Sequence, residues 1–233
     1  MKVAIMQPYL FPYIGYFQLI NAVDTFVFYD DINFMKKSWV NRNRILVNGK
    51  ECMITVPLKK ASQNKLIKDI DVLIDRVWVQ QFYKTIEQNY KKAPYFESTF
   101  KLIQTVFESP CKTIAELAIR SVVLICNYLE VTTSLEKSSI TYPETKGVEK
   151  TERLIYITQL SKSDHYINPS GGKMLYDKTD FRLKGVTLSF IENQLSPYTQ
   201  FDNDFVNGLS MIDVLMFNSP KEVQKMLNQY ELI

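Results

Sequence analysis

The start of the chain constrains the fold most, because two short apolar runs there enclose a segment with helical spacing. The runs, residues 3–6 and 25–29, are rich in β-branched or aromatic residues, which favour buried strands. Between them, Ile14, Phe17 and Ile20 recur at the spacing of a helix face. A strand, a helix and a strand in this order predict two parallel strands with a right-handed crossover. The loop after the first strand then lies at the carboxyl edge of the sheet, where open α/β sheets bind ligands.

The rest of the chain continues this pattern around a helical middle. Asn48-Gly49 stands between two extended runs, and this dipeptide is the strongest short signal for a β-hairpin. Short strands are predicted again at residues 165–168 and 186–192, and Ser219-Pro220 suits the start of the last of two closing helices. Three helices are predicted between these parts. Their helix faces are marked by Trp78, Phe82, Ile86 and Tyr90, by Phe96, Phe100, Ile103 and Phe107, and by Ile114, Leu117, Ser121, Leu124 and Tyr128.

These elements predict an α/β fold with a Rossmann-like parallel sheet and a helical middle section. Neither a repeat nor a low-complexity linker divides the chain. We therefore expect a single α/β domain over residues 1–233, with residues 73–130 as a helical insertion within it.

Charge and cysteine content exclude several classes of function. The 28 basic and 25 acidic residues give a net charge of +3 and are spread along the chain, which argues against nucleic acid as a partner. Three cysteines without metal-binding spacing predict free thiols in a reducing compartment, and the single histidine, His165, excludes a His-rich metal site. Because no apolar run suits a signal peptide or a membrane span, we expect a cytoplasmic protein. The sequence assigns no set of metal ligands and leaves metal dependence open.

The first candidate site is the loop and helix start that follow the first strand. A glycine at the start of this helix lets a ligand approach free backbone amides, which favour phosphate or carboxylate. The tyrosines and the glutamine of the loop offer hydrogen bonds and stacking surfaces. The alternative is a packing glycine among core-lining tyrosines. The candidate residues are Gln7, Tyr9, Tyr13, Gly15, Tyr16 and Phe17.

A second candidate site is the basic stretch "KKSWVNRNRI", just past the second strand. Lys37 and Arg42 suit phosphate or carboxylate, Trp39 offers a flat face for a base or a sugar ring, and Asn43 adds an amide. The stretch falls at the same predicted sheet edge as the glycine loop. The alternative is an ordinary solvated face.

Two further groups of polar residues follow predicted strands. In "NPSGG", Asn168 and Ser170 precede Gly171 and Gly172, a pattern that forms either an anion-binding nest or a tight turn. Asp30 and Asp31 end the second strand, where a carboxylate acts as a base or holds Mg²⁺. A capping role for these two acids is the alternative.

Three stretches resemble the WbqC-like family: residues 6–45, "MQPYLFPYIGYFQLINAVDTFVFYDDINFMKKSWVNRNRI", and residues 151–176 and 198–219. The family is found among bacterial genes for surface polysaccharide such as O-antigen. Its members are assigned by that context as acyl or aminoacyl transferases acting on sugar intermediates. The resemblance therefore implies a cytoplasmic enzyme acting on an amino sugar, and its nucleotide-linked form is one such substrate.

A weaker resemblance connects the first strand–helix–strand unit to nucleotidylyl transferases and pantothenate synthetase. Those enzymes carry H-x-G-H at the start of the helix, where this chain has "YIGY". Gly15 is kept, whereas Tyr13 and Tyr16 replace the histidines. The resemblance implies that the fold persists while ATP chemistry is lost or altered, because neutral phenols bring no positive charge to the phosphates.

The resemblance and the candidate residues together predict a transferase that joins an acyl or aminoacyl group to the amine of a sugar or nucleotide-sugar precursor. Tyr13 and Tyr16 donate hydrogen bonds to charge in the transition state, and Asp30 or Asp31 takes the proton. The alternative is a non-catalytic binding or scaffold protein of the polysaccharide assembly machinery. The expected partner is a small molecule; a homo-oligomer is left open, and the sequence identifies no cofactor.

Overall fold

The computed structural model describes residues 1–201 and 204–233, which form eight strands and nine α-helices. The strands are β1 (Lys2–Met6), β2 (Thr25–Phe28), β3 (Arg42–Val47), β4 (Lys50–Thr55), β5 (Ser134–Lys137), β6 (His165–Pro169), β7 (Thr187–Asn193) and β8 (Tyr230–Leu232). The helices are α1 (Ile14–Asn21), α2 (Arg76–Tyr90), α3 (Phe96–Phe107), α4 (Ile114–Tyr128), α5 (Ser138–Thr141), α6 (Lys150–Leu160), α7 (Lys178–Leu183), α8 (Met211–Phe217) and α9 (Pro220–Met226).

Six strands form one mostly parallel sheet in the order β5-β2-β1-β6-β7-β8, and only β8 runs antiparallel to its neighbour. This arrangement confirms the predicted α/β class with a Rossmann-like sheet. From β1 the chain first builds outward through β2 and later returns to the other side of β1 with β6. The sheet therefore has a topological switch point between β1 and β6, which is where such sheets bind ligands.

The first strand–helix–strand unit forms as predicted. β1 and β2 pair in parallel from Val3 opposite Thr25 to Met6 opposite Phe28. Ala4 packs into the larger hydrophobic core on one face of the sheet, whereas Val3 belongs to the smaller core on the other face. A strand covered on both faces explains why β1 is apolar at successive positions instead of alternating.

The hairpin and the helical middle also follow the predicted pattern. β3 and β4 are antiparallel, and the turn residues Asn48 and Gly49 have φ values of 52° and 72°, as a tight hairpin turn requires. Asp75 caps α2 and Thr113 caps α4 through side-chain hydrogen bonds to backbone amides. The assignment of residues 73–130 to an insertion within one domain stays a prediction.

Neither a membrane-crossing helix nor a cluster of metal-binding side chains is present among the described residues. Over residues 1–201 and 204–233, no helix combines the length and apolar character needed to cross a membrane. In the same ranges, histidine, cysteine and acidic side chains form no group of three or more that would hold a metal ion.

Candidate functional site

A cavity of about 550 Å³ opens at the carboxyl edge of the sheet, at the switch point between β1 and β6. Its volume falls within the range of roughly 300–1,000 Å³ usual for small-molecule sites. The loops after β1, β2 and β6 and the first turns of α6 all contribute to its wall. Its polar lining consists of Gln7, Tyr29, Asp31, Asn33, Lys150, Arg153, Tyr166, Asn168 and Tyr176.

The floor of the cavity carries a buried ion pair between Asp31 and Arg153. An Arg153 Nη2 lies 2.6 Å from Asp31 Oδ2, and the side chains are only 4% and 6% exposed for Asp31 and Arg153, respectively. Ser138 Oγ donates to the other Asp31 oxygen at 2.6 Å, and Arg153 Nε donates to Thr145 Oγ1 at 3.1 Å. These bonds fix a carboxylate and a guanidinium side by side on the cavity wall.

Tyr29 completes this floor. The Arg153 guanidinium carbon lies 4.8 Å from the centroid of the Tyr29 ring, which is a cation–π distance. Burial raises the pKa of Tyr29, and the neighbouring positive charge of Arg153 acts in the opposite direction. Tyr29 is therefore a neutral phenol at physiological pH.

Asp30 forms hydrogen bonds to the start of α5, whereas Asp31 pairs with Arg153. Its Oδ1 accepts from the Ser139 amide at 3.0 Å and from Ser138 Oγ at 3.1 Å, and its Oδ2 accepts from Ser139 Oγ at 2.7 Å. It thereby holds the start of α5 and does not line the cavity. Of the two buried acids, only Asp31 therefore presents a carboxyl group to the cavity, where it suits a bound cation such as an ammonium group.

Asn168 ends β6 at the cavity wall, and the turn after it is shaped around its side chain. Asn168 Oδ1 accepts from the Tyr166 hydroxyl at 2.9 Å. A Cβ atom at position 172 would lie 1.8 Å from Asn168 Nδ2, whereas one at Gly171 would meet nothing within 4 Å. Ser170–Gly172 form a 3₁₀ turn. Gly172 is thus required by the position of Asn168.

We expect Gly172→Ala to reduce ligand binding at the cavity, because the new methyl group displaces the Asn168 side chain from the wall. Gly171→Ala is the matched control, since its methyl group enters open space. Titration of both variants with the ligand of the wild-type protein measures the effect. Loss of a hydrogen bond from Asn168 predicts affinity weaker by about tenfold in Gly172→Ala. Equal affinities in the two variants would remove Asn168 from the binding site.

The loop after β1 is fixed by Tyr16. The Tyr16 hydroxyl donates to the Gln7 carbonyl at 2.8 Å, and both Tyr16 and Phe17 are fully buried. Burial raises the pKa of Tyr16 well above its ordinary value, and it raises that of Tyr9, whose ring lies 5.5 Å away, to about 12. The Tyr16 hydroxyl therefore donates its hydrogen bond to the loop that presents Gln7 to the cavity. Its predicted catalytic role stays a prediction.

Tyr13 and Gly15 face another part of the molecule. Tyr13 lines a separate pocket of about 220 Å³ together with Asn193. Burial raises the pKa of Tyr13, and a hydrogen bond to Asn193 opposes this effect. A Cβ atom at Gly15 would lie 2.1 Å from Asn193 Nδ2 and 2.4 Å from Tyr13 Cε2. Protein side chains thus occupy the space over Gly15 in which a ligand was predicted to approach.

The basic segment after β2 folds onto its own tryptophan. The guanidinium carbons of Arg42 and Arg44 lie 5.8 Å and 5.4 Å from the Trp39 ring centroid. Arg42 also donates to the carbonyls of Ser38, at 3.1 Å, and of Lys37, whose φ is 62°. Ring and cations are stacked together outside the cavity lining, and their predicted role in nucleotide binding stays a prediction.

Asn43 joins this segment to the loop after β1. Its amide nitrogen donates to the carbonyls of Leu10, at 3.1 Å, and Phe11, at 2.7 Å, and its side chain is buried. Ser121 Oγ accepts from the Phe11 amide at 3.0 Å, and Ser210 Oγ donates to the Phe11 carbonyl at 2.7 Å. Phe11 adopts a φ of 41°, so these bonds hold a strained turn.

The structure thus brings together three of the predicted residues: Gln7, Asp31 and Asn168 all line the cavity. The other predicted residues lie outside this lining, and Gly172 contacts it through Asn168. Sequence reasoning missed the partners on α6, on β6 and in the loops. The missed polar residues are Tyr29, Asn33, Lys150, Arg153, Tyr166 and Tyr176.

Comparison with known proteins gives one family and one relative. A family model described as the WbqC-like protein family matches residues 7–225, which include the whole polar lining of the cavity. An uncharacterized protein of Mycobacterium tuberculosis, Rv1507c, is 31% identical over 221 residues, covering 93% of each chain. No solved structure shows a significant match.

Proposed function

The chain belongs to the WbqC-like protein family, and we propose that it is a cytoplasmic transferase. In this proposal it joins an acyl or aminoacyl group to the amine of a sugar or nucleotide-sugar precursor of O-antigen or a similar surface polysaccharide. The observation that carries the proposal is the Asp31–Arg153 pair on the floor of the cavity. A carboxylate and a guanidinium side by side suit a substrate with an amine and an anionic group.

The acceptor amine is placed against Asp31. This carboxylate attracts the ammonium form of the amine and takes its proton, which leaves a neutral nitrogen able to attack a carbonyl carbon. Gln7 and Asn168 offer amide donors and acceptors that match sugar hydroxyl groups, and the rings of Tyr29 and Tyr176 offer apolar faces to a sugar ring.

The activated acyl group is attacked directly in this proposal. Among the described residues that line the cavity there is no serine, threonine, cysteine or histidine, the side chains that most often form acyl-enzymes or activate them. Arg153 and Lys150 lie on the same wall and suit a phosphate or carboxylate of either substrate. The proton transfer is assigned to Asp31 and not to Tyr13 or Tyr16. The Tyr16 hydroxyl donates to the Gln7 carbonyl, and Tyr13 lines a separate pocket.

A thermal-shift panel tests the proposal with nucleotides, nucleotide-linked amino sugars and acyl-coenzyme A compounds. A bound ligand stabilises the folded protein by about 2.7 kcal/mol at a hundred times its dissociation constant. We expect a concentration-dependent shift with nucleotide-linked amino sugars that is reduced in Gln7→Leu. The control is His165→Asn, which changes the first residue of β6 and lies outside the cavity lining. A flat panel would favour the alternative of a scaffold protein.

A further inference from the structure

Four largely exposed chain segments contribute to the cavity lining, and we call them the mouth segments: residues 33–37, 65–66, 146–150 and 173–177. Each of them contains at least one residue that lines the cavity. They belong to different parts of the chain, and the fold brings them to the same edge of the sheet. What is exposed on the mouth segments therefore meets any molecule that covers the cavity.

The mouth segments carry several large apolar side chains that are highly exposed. Met174 is 94% exposed, Leu175 72% and Met35 57%. Single exposed apolar residues are common on protein surfaces, but here several belong to segments that contribute to one cavity. Methionine is flexible and polarizable, and it is frequent on surfaces that adapt to a protein partner.

The mouth segments are also strongly basic. They contain six lysines against two acidic residues, Glu149 and Asp177, a net charge of +4 where the whole chain carries +3. Of the six lysines, only Lys173 is in an ion pair within the described part of the chain, with Glu192 at 3.6 Å. The lysines are Lys36, Lys37, Lys65, Lys146, Lys150 and Lys173.

We propose that the mouth segments dock an acidic carrier protein that presents the acyl group as a thioester on a flexible arm; this inference rests on the proposed function. Free lysines around the opening complement acidic side chains of the carrier, and the exposed methionines and leucine pack against its apolar surface. Because Asp31 is buried at the floor, an acyl group that reaches it from a bulky carrier has to be delivered on a narrow arm.

The transfer balances without a further reactant. Asp31 takes one proton from the acceptor ammonium, and the nitrogen then attacks the thioester carbonyl carbon. The C–N bond forms, the C–S bond breaks, and the thiolate of the arm leaves. The thiolate takes up the second proton lost by the nitrogen, so the products are an amide and a carrier with a free thiol. Asp31 returns its proton to water.

The test measures binding of a bacterial acyl carrier protein whose phosphopantetheine arm carries an acetyl group, by isothermal titration calorimetry at low and moderate salt. The test variant is the triple change Lys36→Glu, Lys65→Glu and Lys146→Glu. The control variant carries the same change of charge away from the mouth segments: Lys84→Glu, Lys92→Glu and Lys101→Glu. Acetyl-coenzyme A, anionic phospholipid vesicles and a nucleotide-linked amino sugar are titrated into each protein as separate probes.

We expect the carrier to bind the wild type and the control variant, with affinity that falls as salt rises, and to bind the test variant about tenfold more weakly or worse. Amino-sugar binding should be unchanged in the test variant. Loss of carrier and amino-sugar binding together would place the lysines in the substrate site and overturn the docking surface. Carrier binding that is absent, or equal in both variants, would overturn it too, with acetyl-coenzyme A or vesicles identifying the true occupant. A carrier that binds while no amino sugar does would contradict the proposed function alone.

Discussion

Replacing Arg153 with methionine is expected to lower the free energy of unfolding by about 3–5 kcal/mol, because it leaves Asp31 buried without its cation. Asp30 lies beside Asp31, and the two carboxyl groups share the Ser138 hydroxyl as a donor. Without Arg153 no guanidinium would offset their charges, so the loss of stability is large. Equilibrium unfolding in urea, followed by circular dichroism, measures the change.

A double variant separates this cause from simple loss of packing. Arg153→Met combined with Asp31→Leu removes both charges, and replacement of a buried ion pair by apolar residues is often neutral. We expect the double variant to recover most of the stability that Arg153→Met loses, which is a coupling of about 3 kcal/mol between the two positions. Stability losses that simply add would show that the pair does not act as a unit.

Replacing Asp31 with asparagine is expected to slow amide formation by about 10²–10⁴-fold, the usual contribution of a positioned general base. The asparagine side chain keeps the size of the original and cannot take the proton from the ammonium group. Single-turnover assays, corrected for the folded fraction, measure the rate. The remaining activity should rise with pH, because only amines that are already deprotonated can then react.

Asp30→Asn is the control for this prediction. Asp30 is as buried as Asp31 but holds the start of α5 and does not face the cavity. Its loss is expected to cost stability while the rate per folded molecule stays within about threefold of the wild type. Equal losses of rate in the two variants would assign Asp31 a structural role and leave the proposed proton acceptor without support.

The cavity residues that lie at the end of a strand, or just after it, were predictable from the sequence. Parallel strands end at a common edge, so polar residues that follow apolar runs are expected to meet there. This reasoning identified Gln7 after β1, Asp31 after β2 and Asn168 at the end of β6, and all three line the cavity. It needed only the strand positions and the assumption that the strands are parallel.

The partner of Asp31 was not predictable in the same way. Arg153 lies in the first turns of α6, among charged residues typical of an exposed helix, and nothing nearby in sequence marks it as buried. Its burial depends on the ion pair with Asp31, which lies 122 residues earlier in the chain. β5 was missed for a related reason, because its sequence "SLEK" is polar and becomes a strand only by pairing with β2.

The position of a residue in a motif does not by itself establish its role, as the two tyrosines of "YIGY" show. Tyr16 is directed into the core and to the Gln7 carbonyl, and Tyr13 into a second pocket beside Asn193. Gly15 is explained by the Asn193 side chain above it. A helix start that would be open to phosphates in a nucleotidylyl transferase is here covered by the protein's own side chains.

Recognition of a substrate amine by Asp31 is measured by calorimetric titration with a matched pair of ligands. One ligand is a nucleotide-linked amino sugar with a free amine, and the other is the same compound with its nitrogen acetylated. We predict that the free amine binds at least about tenfold more tightly, and that Asp31→Asn removes this preference. Equal binding of the two ligands, or a preference that persists in Asp31→Asn, would show that Asp31 does not recognise the amine.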